Sequence, residues 1–450
     1  MLSITRVHFC GALLLLFLFS STSLFAATIT VDVNTDGTGA VDECELRDAI
    51  LAANTNAAVN GCTAGNGSDL IIFSPALSNK KITLTADLPT ITGGLEIAGP
   101  GKDLLRITGN HLYGMFIVTT GSFSFTIKGL TLFGGVAASG ACISLTSTFS
   151  FTTLIEDVLL ESCQSTSSGG AIKIYTNSGT SSATLRRVTL KENTSGTGGG
   201  AISLSSKTAL IEDSTLESNS ANAGGALSVG VSTQLSINRS TFWDNEAADR
   251  GSAILLFSTS IVTELASTTV VNNRVTDTIV DSEGAAIYTS GTVSLINTVV
   301  ANNIEQNPFH DISDLTGGES SQIITLGHNF IGNNEGSAAV FPAGVQANGD
   351  QAGTAKSYRD ARLDPLADNG GPTRTAMPKI SGSPLVDQGS CSSEVRDQRG
   401  FGNPGSELRI IDILGEPNAD DGCDIGAVEY LAKEFVPVVV FKDGFEADTL

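Results

Sequence analysis

The chain has 450 residues, with 25 Lys and Arg against 47 Asp and Glu, for a formal net charge of −22. That balance repels nucleic acid and anionic lipid, and it disfavours direct binding of a polyanionic polysaccharide unless a cation bridges the two. Charged residues make up 16% of the chain and mean hydropathy is +0.15, which excludes a disordered polyelectrolyte. The 49 Gly and the abundance of Thr, Ser, Val and Ile favour β-structure with many turns.

Residues 1–27, MLSITRVHFCGALLLLFLFSSTSLFAA, place Arg6 before an apolar run (Gly11–Phe19) and then small residues. This is the pattern of a secretory signal peptide, cut near Ala26 or Ala27, with a run too short to span a membrane. Cys10 precedes that run and is misplaced for lipid attachment. The remaining cysteines are Cys44, Cys62, Cys142, Cys163, Cys391 and Cys423, an even count that suggests disulfides in an exported chain. Sequential pairing (44–62, 142–163, 391–423) is the simplest of the fifteen connectivities. A zinc site is not expected, because no CxxC occurs and only His111, His310 and His328 lie beyond the leader.

Residues 28–69 form a cap. In DECELRDAILAAN (42–54), Asp42 and Glu45 are spaced as a capping box. Leu46, Ala49, Ile50 and Ala53 fall at i, i+3, i+4 and i+7, which predicts a short amphipathic helix over the first coil. Arg47 and Asp48 are read as cap contacts. CELRDAI resembles the CSLREA motif of bacterial surface proteins, with Glu and Asp in place of its Ser and Glu. That resemblance implies that a Cys44–Cys62 bond staples the cap.

Residues 70–335 carry the repeats, beginning with coils written as DLIIF (69–73), KITLTADLPTITGGLEIAGPG (81–101) and LLRITGN (104–110). Two marks then recur. One is small-small-aliphatic, as in GGAI at 169–172 and 199–202 and GGAL at 224–227. The other starts on an aliphatic residue and ends eight residues later on Asn193, Asn219, Asn245, Asn273 and Asn303, with Cys163 in the same place one unit earlier. The Asn steps are 26, 26, 28 and 30 residues, a period that means a solenoid or array. Apolar residues alternate (Ile202 and Leu204, Leu227 and Val229) with no 3.6-residue stripe, so each unit is strands and turns. About ten to twelve coils at ~4.8 Å each predict a rod of about 50–60 Å.

Gly pairs supply sharp turns. Asn at the recurring turn is expected to adopt left-handed backbone angles and to hydrogen-bond along the axis as a ladder. Charge columns support the stacking: Glu156, Arg186, Glu212, Asn238; then Asp157, Arg187, Asp213, Arg239; then Glu161, Lys191, Glu217, Trp243. Their signs alternate from unit to unit, which is favourable only if equivalent residues are spatial neighbours. These charges are read as register pairs, not catalytic groups. The units resemble the repeats of polymorphic outer-membrane proteins and related right-handed parallel β-helices of the pectin-lyase-like class. The expected fold is therefore all-β: a right-handed parallel β-helix, a pectin-lyase-like solenoid, with a short N-terminal capping helix.

Periodicity fades in residues 336–432. LDPLADNGGPTRTAMPKISGSPLVDQGS (363–390), DQRGF (397–401) and CDIGAVEY (423–430) resemble the choice-of-anchor Q module of exported β-helical proteins. Arg374, Arg399, Asp387, Asp397 and Asp424 are expected to pair within it. The tail 433–450 holds an apolar stretch and a DGFE sequence similar to a C-terminal signature of some proteobacterial secreted proteins.

The expected function is non-enzymatic adhesion or surface binding, outside the cell or on a bacterial cell surface. The alternative is a polysaccharide lyase or glycoside hydrolase, which needs converging carboxylates and a base. The only candidates are acidic loop groups: Asp244, Glu246 and Asp249 beside Arg250, and Asp277, Asp281 and Glu283. Trp243 and Tyr288 are candidate sugar-stacking rings. No cofactor is expected. Calcium is the one ion acidic loops would suit, yet the Gly-Asp repeat of calcium-binding β-helices is missing. The expected partner is a surface glycan or a protein ligand, with no nucleic acid, membrane contact peripheral at most, and a monomeric chain.

Overall fold

A computed structural model describes residues 26–119, 121, 123–176, 180–230, 233–257, 262–276, 285–305, 313–318, 321–379, 382–391, 396–400 and 418–430. One coil shows the plan. Thr208–Glu212 lies on a first face, Thr215–Glu217 on a second, Ser220–Ala221 on a third and Leu227–Val229 on a fourth. Each strand pairs in parallel with its equivalent one coil away, for example Thr208 with Gln234 and Thr215 with Thr241. Among the described residues the first face has 11 strands, the second 12, of which Gly344–Val345 is antiparallel, the third 7 and the fourth 8. Ile211, Leu216, Leu227 and Val229 point inward with their equivalents and form one continuous apolar core. The protein is a parallel β-solenoid.

The first strand of the first face is Thr28–Val31, paired with Leu70–Phe73. The solenoid thus starts within the segment assigned to the cap, and the helix is an excursion between two paired strands. That helix, Leu46–Thr55, buries Leu46, Ala49, Ile50, Ala52 and Ala53 against the core. The capping box is not formed: Glu45 is the N-cap but makes no side-chain cap bond. Its carboxylate instead accepts from the Gly37 and Thr38 amides and the Thr38 hydroxyl, and the hydroxyl and amide bonds hold its pKa below the usual carboxylate value despite the opposing effect of burial. Arg47 pairs with Asp36, and Asp48 accepts from Asn60.

The cysteines pair as Cys44–Cys62, Cys142–Cys163 and Cys391–Cys423. Disulfides of this kind belong to oxidising compartments. Among the described residues no helix is long and apolar enough to cross a membrane.

The polar turn between the second and third faces is buried. Asn193 Nδ2 donates to Asn219 Oδ1, Asn219 to Asn245, Asn245 to Asn273 and Asn273 to Asn303, each at 2.9 Å. Each accepting oxygen also takes the backbone N–H of the preceding Asn, as in Asn193 N to Asn219 Oδ1 at 3.0 Å. The Cys163 amide joins one end of the row and Asp314 accepts from Asn303 at the other. The left-handed backbone lies elsewhere than expected. It falls on the residue before the ladder: Ser162, Glu192, Ser218, Asp244, Asn272 and Asn302 have φ of 54 to 60°, 53° at Asp244. The ladder Asn turns its amide inward to satisfy a backbone that water cannot reach, so hydrogen-bonding capacity, not tolerance of positive φ, places Asn there.

The GG turns divide their labour. Gly169, Gly199 and Gly224 take φ of 67, 68 and 64°. At the second Gly of each pair, 170, 200 and 225, a Cβ would collide with the carbonyl oxygen of Gly200, Gly225 or Ser252 in the next coil.

Replacing Asn219 by Ala strips partners from the Asn193 amide, the Leu190 carbonyl and the Asn245 carboxamide at a site with 0% exposure. The expected loss is about 2–4 kcal/mol for several buried groups left unpaired, measured as a lowered denaturant midpoint.

Candidate ligand groove

The charge columns stand in register. Glu156 faces Arg186, Arg186 faces Glu212, and Glu212 faces Asn238. Asp157, Arg187, Asp213 and Arg239 occupy the following turn with φ of 53, 52, 52 and 44°. Arg187 bonds Asp157 at 2.7 Å, and Arg239 bonds Asp213 at 2.8 Å. The Asp157 bond contributes most to holding the Arg187 guanidinium well above its usual pKa. These groups are consumed in pairing along the axis.

The acidic loop candidates among the described residues, Asp244, Glu246 and Asp249, line neither of the two cavities described below. Glu246 pairs with Arg274, and Asp249 with Arg250 at 3.0 Å. Arg250 also lies over the Tyr288 ring, 5.0 Å from its centroid, and Tyr288 is buried, so that ring is packed and not presented to a sugar. Trp243 packs on the small apolar cluster of Val271, Phe330 and Leu385. Asp244 accepts from Ser218. Asp277, Asp281 and Glu283 lie outside the described residues, as do His310 and the DGFE tail.

The C-terminal segment doubles back along the outer side of the second face. Gly426 N bonds Asn297 O and Ala427 N bonds Thr269 Oγ1. Gln398 bridges Thr241, Thr215 and Thr373. Arg396 pairs with Asp213 at 2.9 Å. Arg374 donates to Leu366 O within its own segment at 2.6 Å but takes its ion pair from Glu217 of the second face at 2.5 Å, which corrects the expectation that its charge would be paired within the module. Arg399 and Asp397 do pair there, at 2.6 Å. The strings with the most distinctive sequence are thus the docking residues. Cys391, Cys423 and Glu429 bring their ligand atoms within 4.8 Å of one another, but both sulfurs are used in the disulfide, so the group offers a metal little more than one carboxylate.

Where this segment stops, a groove opens. One cavity of about 480 Å³ is bounded by Lys102, Glu161, Lys191, Glu217, Asp368 and Arg374. A second of about 460 Å³ is bounded by Lys80, Lys81, Lys102, Arg106 and Thr131. They share Lys102, Asp103 and Leu159, so they adjoin. Together they span six strands of the second face, about 24 Å at 4.8 Å per step. Six cations line them against Asp103, Glu161, Glu217 and Asp368, a local reversal of the whole-chain charge. Lys102 donates to Pro372 O, which ties the groove to the C-terminal segment, and burial pushes its ammonium below the usual lysine pKa.

Sequence alternation did not reveal this site, because it breaks the alternation. Lys81 lies directly opposite Arg106. Among the described strand pairs this is the one position where two like charges face each other. Glu217 adds a second anomaly: it is 4% exposed, and its Oε1 has no hydrogen-bond partner although Oε2 is bonded to Arg374.

Residues 113–304 match the family model for the right-handed β-helix region. The solenoid is a right-handed parallel β-helix. No curated protein and no solved structure matches the chain. The β-helix has its second face divided between the docked segment and the open groove.

Truncating Arg374 to Ala removes the bonded cation of the buried Glu217 carboxylate. Because the Arg374 side chain is itself half exposed, the expected cost is about 1–3 kcal/mol, that of a buried acceptor losing its partner. It is read as faster hydrogen exchange at residues 373–375. Glu217→Gln in that background recovers most of it.

Proposed function

We propose that this is an exported, non-enzymatic surface-binding protein whose groove holds an anionic glycan strand. Export is supported by the leader-like first residues and by the three disulfides. The observation that carries the ligand assignment is Lys81 facing Arg106 on an open part of the second face. Opposed like charges cost folding energy, and a bound carboxylate or sulfate turns that cost into attraction. The net charge of −22 does not forbid this, because screening confines a site's field to about 8–10 Å.

A polysaccharide lyase or glycoside hydrolase remains the competing reading. Glu161 and Glu217 stand two strands apart, about 9–10 Å between Cα atoms, near the upper end of the ~6.5–9.5 Å carboxyl separation in inverting hydrolases. Against it, Glu161 is paired with Lys191 at 2.9 Å and Arg106 at 3.6 Å, and Glu217 with Arg374. Both carboxylates are engaged in holding the groove wall.

The test combines binding with product detection on carboxylated, sulfated and neutral oligosaccharides. Binding of an anionic class that weakens with salt, with no new reducing ends and no unsaturated product, is expected. Product formation establishes the enzyme reading instead. Lys81→Glu is expected to lower affinity at least tenfold while raising stability by about 0.2–1 kcal/mol, because it replaces a repulsive cross-strand pair with an attractive one. A variant that binds as well as the parent rejects the groove.

A further inference from the structure

Asp69 starts the second strand of the first face and is 3% exposed. Its Oδ1 accepts the Asn66 N–H at 2.6 Å and the Ala27 N–H at 3.3 Å. Its Oδ2 is buried with no hydrogen-bond partner, pressed against Gly65 where a Cβ would touch it. Among the described residues no Lys or Arg pairs with Asp69. A buried carboxylate in this state is costly. The group beside it is a main-chain nitrogen, at the point where the chain enters the sheet: Leu70 N bonds Ala27 O at 2.8 Å, whereas Ala26 is exposed.

We infer that maturation cuts the Ala26–Ala27 bond and that the new α-ammonium of Ala27 is the missing counter-ion of Asp69. An endopeptidase of the signal-peptidase class would hydrolyse the bond. Water adds across it, the C–N bond breaks, Ala26 leaves as a carboxylate and the Ala27 amine takes up a proton. A peptide nitrogen offers Asp69 one hydrogen, while an ammonium offers three and a charge, enough to serve both carboxylate oxygens. Removal of the leader then completes the first strand pairing of the solenoid electrostatically. The cut rests on the export reading, whereas the internal ion pair can be tested without it.

Two arms test this. Mass spectrometry of the exported chain should find Ala27 at its N-terminus; a start at Thr28 or upstream of Ala27 overturns the cut site, and a chain that keeps its leader overturns export as well. In the second arm, chains beginning at Ala27 or extended by Gly-Ala26 are made with Asp69 or with Asp69→Asn. The extension should reduce the folding equilibrium constant about tenfold with Asp69 and change it little with Asp69→Asn. An equal effect in both backgrounds, or none in either, overturns the ion pair. Should the Asp69→Asn chain fail to fold, reductive methylation decides: the Ala27 amine should react at least tenfold more slowly than the amine of the extended chain, and equal rates overturn the pair.

Discussion

Everything in this molecule depends on satisfying one buried polar turn. A coil that bends between its second and third faces must leave main-chain N–H and C=O groups inside the wall, where water does not reach. The row from Asn193 to Asn303 answers that need because a carboxamide donates and accepts at once and can therefore serve the backbone and its own neighbour together. The bonds run along the axis, so they fix each coil against the next. Once that spacing is set, the apolar residues must stack in columns and the exposed charges must face their equivalents.

A second polar row does the same for the turn between the first and second faces, with hydroxyls in place of amides. The Ser214 amide donates to Ser240 Oγ and the Thr268 amide to Thr298 Oγ1. Asn329 then accepts from the Thr298 amide and Asp350 from the Asn329 amide. The C-terminal segment exploits the regularity that these rows impose. Thr215, Thr241 and Thr269 stand one coil apart on the outer side of the second face; Thr215 meets Arg374 O and Gln398, Thr241 meets Gln398, and Thr269 accepts from Ala427 N.

Periodic features were legible in the sequence and non-periodic ones were not, for physical reasons. Asn219 and Glu212 announce their neighbours because each coil repeats the same contact, so spacing alone reveals the ladder and the alternating charges. The hydroxyl row stayed hidden because Ser and Thr are common in every β-rich chain and can stand in for each other. Left-handed angles were placed one residue late because the left-handed positions are filled by Ser, Glu, Asp and Asn alike, leaving no residue-type signal. Arg374 and Glu217 are 157 residues apart and Lys102 and Pro372 are 270 apart; no local pattern encodes such contacts. The groove inherits that illegibility, since one wall is solenoid and the other is the returning segment.

The same regularity gives the groove its meaning. In a stacked array a side chain cannot choose its neighbour, because the register chooses it. Opposite signs then attract at little cost, and the columns through Arg186 and Lys191 take that course. Lys81 opposite Arg106 does not, and register gives Lys81 no acidic residue directly opposite it. Arg106 spreads part of its charge onto Glu161 and the Phe133 ring, while Lys81 forms no ion pair with any described residue. Among the described strand pairs, an array that sets like charges opposite each other only here, and leaves one of them exposed beside an open groove, is arranged for a counter-charge that comes from outside the chain.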